Sequence, residues 1–150
     1  MQVRFENINQ DNWRIFNALK VSTDQEKYIA PNVSILARAY AYRNDNSKVY
    51  AIYNETQPIG LLMQRDYNED GRLVCILDQF MIAEQHQGKG LGKLAMQHWL
   101  AMIETEEKYA AILLCYIEGD EIARKLYQGL GFLHTGERDE EEVIMRYELR

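Results

Sequence analysis

His86-Gln87-Gly88-Lys89-Gly90-Leu91-Gly92-Lys93 decides how this chain is read. The segment follows an apolar run over residues 73–83. It opens a stretch in which Leu91, Ala95, Trp99 and Met102 recur at the period of one helix face. Glycines at 88, 90 and 92 free the backbone to turn tightly, and the missing side chains let a ligand reach the peptide N–H groups. Those groups, with the positive end of the helix, make an anion site suited to a pyrophosphate. Lys89 and Lys93 add charge beside it. The plainer alternative is a Gly-rich turn with no ligand. Glycine in a first helical turn costs up to about 1 kcal/mol per residue, which argues for a use.

Outward from this loop the chain divides into short elements. Residues 2–8 alternate as a strand, and Asp11 is placed to cap a helix from Asn12 with Trp13, Phe16 and Leu19 on one face. Pro31 suits the first turn of a second helix reaching about Tyr42, and residues 44–47 form a loop. Strands are expected at 49–53, 59–64 and 73–83, with turns at 55–58 and 68–71. A helix over 88–106, a strand over 111–117 and a helix over 121–130 follow, the last closed by Gly131 as a left-handed cap. Strands at about 132–136 and 143–149 finish the chain. The order β-α-α-β-β-β-α-β-α-β-β predicts one α/β (α+β) domain over 1–150 with a mixed sheet.

Composition narrows the partners. The 150 residues are 47% hydrophobic with two prolines, a globular composition of single-domain size. No apolar run approaches the ~18 residues of a membrane span, and the first residues do not resemble a signal peptide. The net charge of −6 argues against nucleic acid and suits a cationic partner. Cys75 and Cys115 both lie in apolar runs and read as buried hydrophobes in a reducing compartment, not as a disulfide or metal site. A cytoplasmic protein without membrane, nucleic-acid or metal partners is expected.

Among phosphate loops, a Walker sequence needs Gly at Gln87 and Ser or Thr at Leu94, and fails at both. A dinucleotide fingerprint can be forced onto Gly90, Gly92 and Ala95, but several strands precede them, and no acidic residue near position 110 ends a second strand; Glu118 comes several residues too late. Gln/Arg-x-x-Gly-x-Gly/Ala is matched at Gln87, Gly90 and Gly92. This resembles the pyrophosphate loop of the GNAT acetyltransferases, which joins the fourth strand to the third helix. A second stretch, residues 120–132, resembles that family's later motif, with Ala123, Tyr127, Gly131 and Phe132 in place. Asp120 stands there where Asn is usual. Within the family, Asp78-x-Phe80-x-Ile82, the Gln-Gly-Lys-Gly-Leu-Gly loop, Leu-Tyr-x-x-Leu-Gly-Phe and Tyr28-Ile29 are similar to bacterial spermine/spermidine acetyltransferases.

The resemblance implies a mostly antiparallel, twisted sheet of about seven strands with about four helices. It implies acetyl-coenzyme A as cosubstrate, held by Gln87, Gly88, Lys89, Gly90, Leu91, Gly92, Lys93, Asp120, Ala123 and Tyr127, and by the backbone of Phe80, Met81 and Ile82. It makes Tyr127 the proton donor to the leaving thiolate; packing beside Ile122, Leu126 and Leu130 is the alternative for that ring. A small primary amine, spermine or spermidine first, is the expected acceptor, and a homodimer is an admissible assembly. At pH 7 only roughly one alkyl amine in a few thousand is neutral, so a base is needed. Asp78, alone in an apolar strand, is the first candidate for base and amine ligand; Glu84 and Glu118 are further ones, and Tyr28 joins Asp78 and Glu84 as a substrate contact. His86 flanks the loop, and His98 is expected to pack on the buried side of its helix. Another amine, amino acid, drug or protein N-terminus is the rival acceptor, and a noncatalytic coenzyme A-binding sensor the rival class.

Overall fold

Residues 59–64 are buried in succession, so the strand that carries them must be covered on both faces. The computed structural model, which describes residues 1–150, covers it with helices on each side. The elements are β1 (Val3–Asn7), α1 (Trp13–Asn17), α2 (Asn32–Ala41), β2 (Lys48–Asn54), β3 (Gln57–Glu69) and β4 (Arg72–Ile82). They continue as α3 (Leu91–Glu106), β5 (Ala111–Ile117), α4 (Glu121–Gly129), β6 (Leu133–Asp139) and β7 (Glu142–Glu148). One seven-stranded sheet runs β1-β2-β3-β4-β5-β7-β6, antiparallel except for β4–β5. Because neighbouring strand residues face opposite ways, Ile52 and Leu62 join Trp99 and Ile103 of α3 on one face. Ala51 and Leu61 join Phe16 of α1 on the other.

Two local features shape the centre. β4 and β5 pair only between Val74–Leu77 and Ala111–Leu114, although β4 continues to Ile82 and β5 to Ile117. Beyond Leu77 and Leu114 they diverge and leave a wedge. At that point Met63 faces Gln79 while Gln64 faces Leu77, so Asp78 is an extra residue in β4. Such a bulge bends the strand and turns a side chain out of the regular alternation. Across β3, buried Gln64 accepts a hydrogen bond from Trp99 Nε1 at 2.8 Å, which ties α3 to the sheet beside the bulge.

Several expectations change. α1 is a short helix that excludes Leu19; Phe16 is fully buried while Trp13 is 39% exposed. Asp11 does not cap it. Asn12 occupies the cap position, but its side chain accepts from Asn9 N–H and donates to the Asn7 carbonyl instead. β3 continues through Gln64-Arg65-Asp66 to Glu69, because the Asp70-Gly71 turn, with φ of 52° and 87°, closes a tight hairpin with β4. Cys75 is buried as expected, but Cys115 is exposed.

Candidate active site

The wedge between β4 and β5 is walled by α4 and by the segment between α1 and α2. It holds two cavities that meet. One, of about 400 Å³, runs along Met81 and Ile82 to Gln87, Gly88 and Gly92. The other, of about 240 Å³, lies toward Arg38, Arg65, Asp78, Cys115 and Glu142. Tyr28, Ile29, Phe80, Asp120, Ala123 and Tyr127 line both and mark the junction.

The loop before α3 leaves the N-terminus of that helix without a side-chain cap. Gly90 takes the helix's N-cap position at φ +82°, a left-handed conformation that glycine adopts without strain, and no side chain caps the helix. A Cβ at Gly88 or Gly90 would meet nothing within 4 Å, and one at Gly92 only Ile82 Cγ1 at 3.8 Å. Packing within the chain therefore does not require Gly92, whose φ is ordinary. Gln87 turns its amide inward, donating to the Ile82 carbonyl and to Gln25 Oε1, both at 2.7 Å. Its side chain clamps the loop to the end of β4. Leu91 is 1% exposed and packs in the core, so only its backbone is available to a ligand. Lys89 and Lys93 are exposed and line neither cavity, Lys89 donating to the Gln85 carbonyl.

Tyr127 is fixed by the way α4 ends. Phe132 N–H donates to the Tyr127 carbonyl and Gly131 N–H to that of Gln128, the paired bonds of a Schellman cap. Gly131 has φ +103°, and a Cβ there would press on Tyr147 at 3.3 Å. The cap sets the Phe132 ring edge-on to Tyr127, with centroids 5.9 Å apart. Burial, and then the Asp120 carboxylate, push the Tyr127 phenol well above its usual pKa, so it stays protonated near neutrality. At the other end of α4, Asp120 caps the helix by accepting from Ala123 N–H at 3.2 Å. Burial raises its carboxyl pKa against the lowering effect of that bond.

Asp78 is placed differently from a free base. Its side chain is 4% exposed and accepts from Arg38 Nε and Nη2, both at 3.1 Å, and from Arg65 Nε at 2.7 Å. Burial alone would raise its pKa, but the hydrogen bonds and charges of the two arginines outweigh it and hold the carboxyl below its usual range. Its lone pairs are engaged. Glu84 is exposed and lines neither cavity, as does His86 without that exposure. Glu118 is exposed and paired with Arg138. His98 is exposed, not buried, and rests on the Phe5 ring with centroids 5.0 Å apart. Sequence reasoning missed Arg38 and Arg65, which stand far from any motif; the one signal was the unpaired charge at Asp78.

The family described as Acetyltransferase (GNAT) family matches residues 5–132. This chain belongs to the GNAT acetyltransferase family. It is 31% identical over 143 residues to the spermine/spermidine N(1)-acetyltransferase of Bacillus subtilis (strain 168), with 93% of each chain covered. Among solved GNAT structures, the spermidine N-acetyltransferase from Vibrio cholerae in complex with CoA and spermine superposes with a TM-score of 0.75 at 20% identity, covering 97% of this chain and 93% of that one. An aminoglycoside acetyltransferase in complex with coenzyme A gives 0.78 at 12% identity, covering 98% and 95%. The expected fold, a mostly antiparallel seven-stranded sheet with four helices, is the one found. No helix of this GNAT chain is long and apolar enough to cross a membrane.

Proposed function

We propose that the protein transfers the acetyl group of acetyl-coenzyme A to the primary amine of a small acceptor, the two substrates entering the wedge from opposite sides. The observation that carries this reading is the meeting of two cavities at the Tyr127 side chain. The uncapped N-terminus of α3 and the open glycine wall suit the pyrophosphate, and the unpaired edge of β4 at Phe80, Met81 and Ile82 suits the amide groups of the pantetheine arm. The cosubstrate supplies the activated carbonyl.

The amine nitrogen bonds to the thioester carbon, the C–S bond breaks, and its electron pair goes to sulfur. One proton leaves nitrogen and one reaches sulfur. Tyr127, still protonated, donates toward the sulfur as charge develops there. Asp120 lies at the junction with a raised pKa, and in this reading it takes the base role that the paired Asp78 is poorly disposed to fill. Spermine and spermidine are acceptors to test first, a choice supported by the names of the two relatives. The test is release of coenzyme A thiol from acetyl-coenzyme A across an amine panel, with an amine-free control and coenzyme binding by calorimetry. Amine-dependent release is expected. Binding without release for any amine would replace the enzyme with a coenzyme sensor.

A further inference from the structure

The 240 Å³ cavity is charged unevenly. At its α2/β3 end, Arg38 and Arg65 face the single carboxylate of Asp78, which leaves one positive charge. At the α4/β7 end stand Asp120 and Glu142. The hydrogen bonds of the arginine end are incomplete. Arg38 spends Nε and Nη2 on Asp78 and is also hydrogen-bonded to Tyr42, whereas Arg65 spends only its Nε, so both terminal nitrogens of Arg65 donate to nothing in the chain. Both guanidiniums also lie against one ring, that of Tyr42, at 5.3 and 4.5 Å from its centroid. Arg65 is 20% exposed: its Nε is held by Asp78, while its terminal N–H groups stay open to solvent beside the cavity. A forked donor in that state matches a carboxylate.

We propose that Arg65, steadied by Asp78 and Tyr42 and assisted by Arg38, binds a carboxylate, and that the preferred acceptor is an aminocarboxylate. Its amine lies at the Tyr127–Asp120 junction and its carboxylate at Arg65. The proposal rests on the acetyl-transfer reading but departs from a wholly cationic acceptor. A polyamine would set an ammonium or a methylene chain against the excess guanidinium, whereas an aminocarboxylate matches both ends. The carboxylate has two sources, the acceptor itself or a separate small acid, and the experiment distinguishes them.

The kinetic test pairs amines that differ only by a carboxylate, lysine with 1,5-diaminopentane and ornithine with 1,4-diaminobutane, beside spermidine. Each is run with the native protein, Arg65→Gln and Arg65→Lys, after unfolding curves show that the variants fold. The aminocarboxylate is expected to exceed its diamine in kcat/KM by about tenfold or more, the size of one charge-assisted paired contact. Arg65→Gln is expected to collapse that ratio through KM, and Arg65→Lys to restore part of it. A binding arm titrates lysine into the coenzyme A-saturated protein, so that failure of acetyl transfer and failure of this subsite are told apart. Binding of lysine that Arg65→Gln abolishes supports the subsite even without turnover. Absence of lysine binding, or a diamine that equals its aminocarboxylate, overturns the aminocarboxylate acceptor. If succinate raises diamine turnover in the native protein and not in Arg65→Gln, the carboxylate comes from a separate acid, which also overturns the acceptor assignment.

Discussion

At the scale of single residues, Tyr127 and Asp78 show how position decides chemistry. Tyr127 is placed by a helix cap and a facing ring, so Tyr127→Phe keeps the packing and removes only the hydroxyl. Turnover is expected to fall by about 10²–10⁴-fold, as for a lost general acid, with coenzyme affinity and melting temperature close to native. Steady-state kinetics and calorimetry on one folded sample check this; near-native turnover would leave the ring a structural role alone. Asp78 belongs to a different argument. Its folded pKa is depressed below the unfolded value of about 3.9, so its stabilisation is fully present above that pH and lost as pH falls through the folded pKa. Asp78→Asn is expected to cost about 1–3 kcal/mol near pH 7, a range that allows for the solvent screening of half-exposed Arg38. Urea unfolding of both proteins from pH 7 to pH 2 should show the gap closing at the acid end. A gap constant with pH would mean that the ion pairs contribute nothing. The sequence marked Asp78 as costly to bury, but its partners were illegible, because the loop of chain between Arg38 and Asp78 carries no pattern that pairs them.

At the scale of elements, legibility followed the range of the cause. The Gly131 cap and the Asp70-Gly71 turn are local backbone requirements written in glycine and stand where the sequence placed them, whereas α3 begins at Leu91 and not at 88, because Gly88 and Gly90 take positive φ. α1 was overextended because Trp13, Phe16 and Leu19 share a spacing, whereas tertiary packing needed only Phe16. The β4 bulge depends on the register with β3, which no single strand records. The α3 loop also yields a clean separation of fold from ligand. Gly92 lies inside the helix at ordinary φ with room for a Cβ, which would meet only Ile82 Cγ1 at 3.8 Å. Gly92→Ala should hold or raise stability, by up to about 1 kcal/mol, since glycine is the poorer helix former. The motif admits alanine at this position, so Gly92→Ala should keep coenzyme affinity within about twofold, whereas the larger side chain of Gly92→Val faces the cleft and should lower it about tenfold or more, equivalent to about 1.4 kcal/mol. Thermal unfolding and calorimetry on both variants measure stability and affinity together. Unchanged affinity in a folded Gly92→Val would move the pyrophosphate away from this wall.

At the scale of the whole molecule, element order reads as a mixed sheet and the family resemblance implies seven mostly antiparallel strands, but the placing of β7 between β5 and β6 is a long-range pairing that neither specifies. Charge needed coordinates. The sum of −6 favours a cationic acceptor, yet the cavity beside Asp78 gathers two of the chain's arginines at one end. The global field and the local pair make opposite demands, and salt separates them. Between ~0.01 M and ~0.15 M salt the Debye length shrinks from about 30 Å to about 8 Å, which removes long-range attraction between exposed charges and spares contacts within a cavity. Spermine, drawn by the field of the whole protein, should show a KM that rises several-fold over this range, by about threefold or more. Lysine, with one net charge and its carboxylate seated on half-buried Arg65, should change by less than about twofold. Saturation kinetics for both acceptors, at fixed pH and saturating cosubstrate, give the two slopes directly. Parallel slopes would mean that both acceptors are held by the outer field alone, and the arginine end of the cavity would then have no part in acceptor choice.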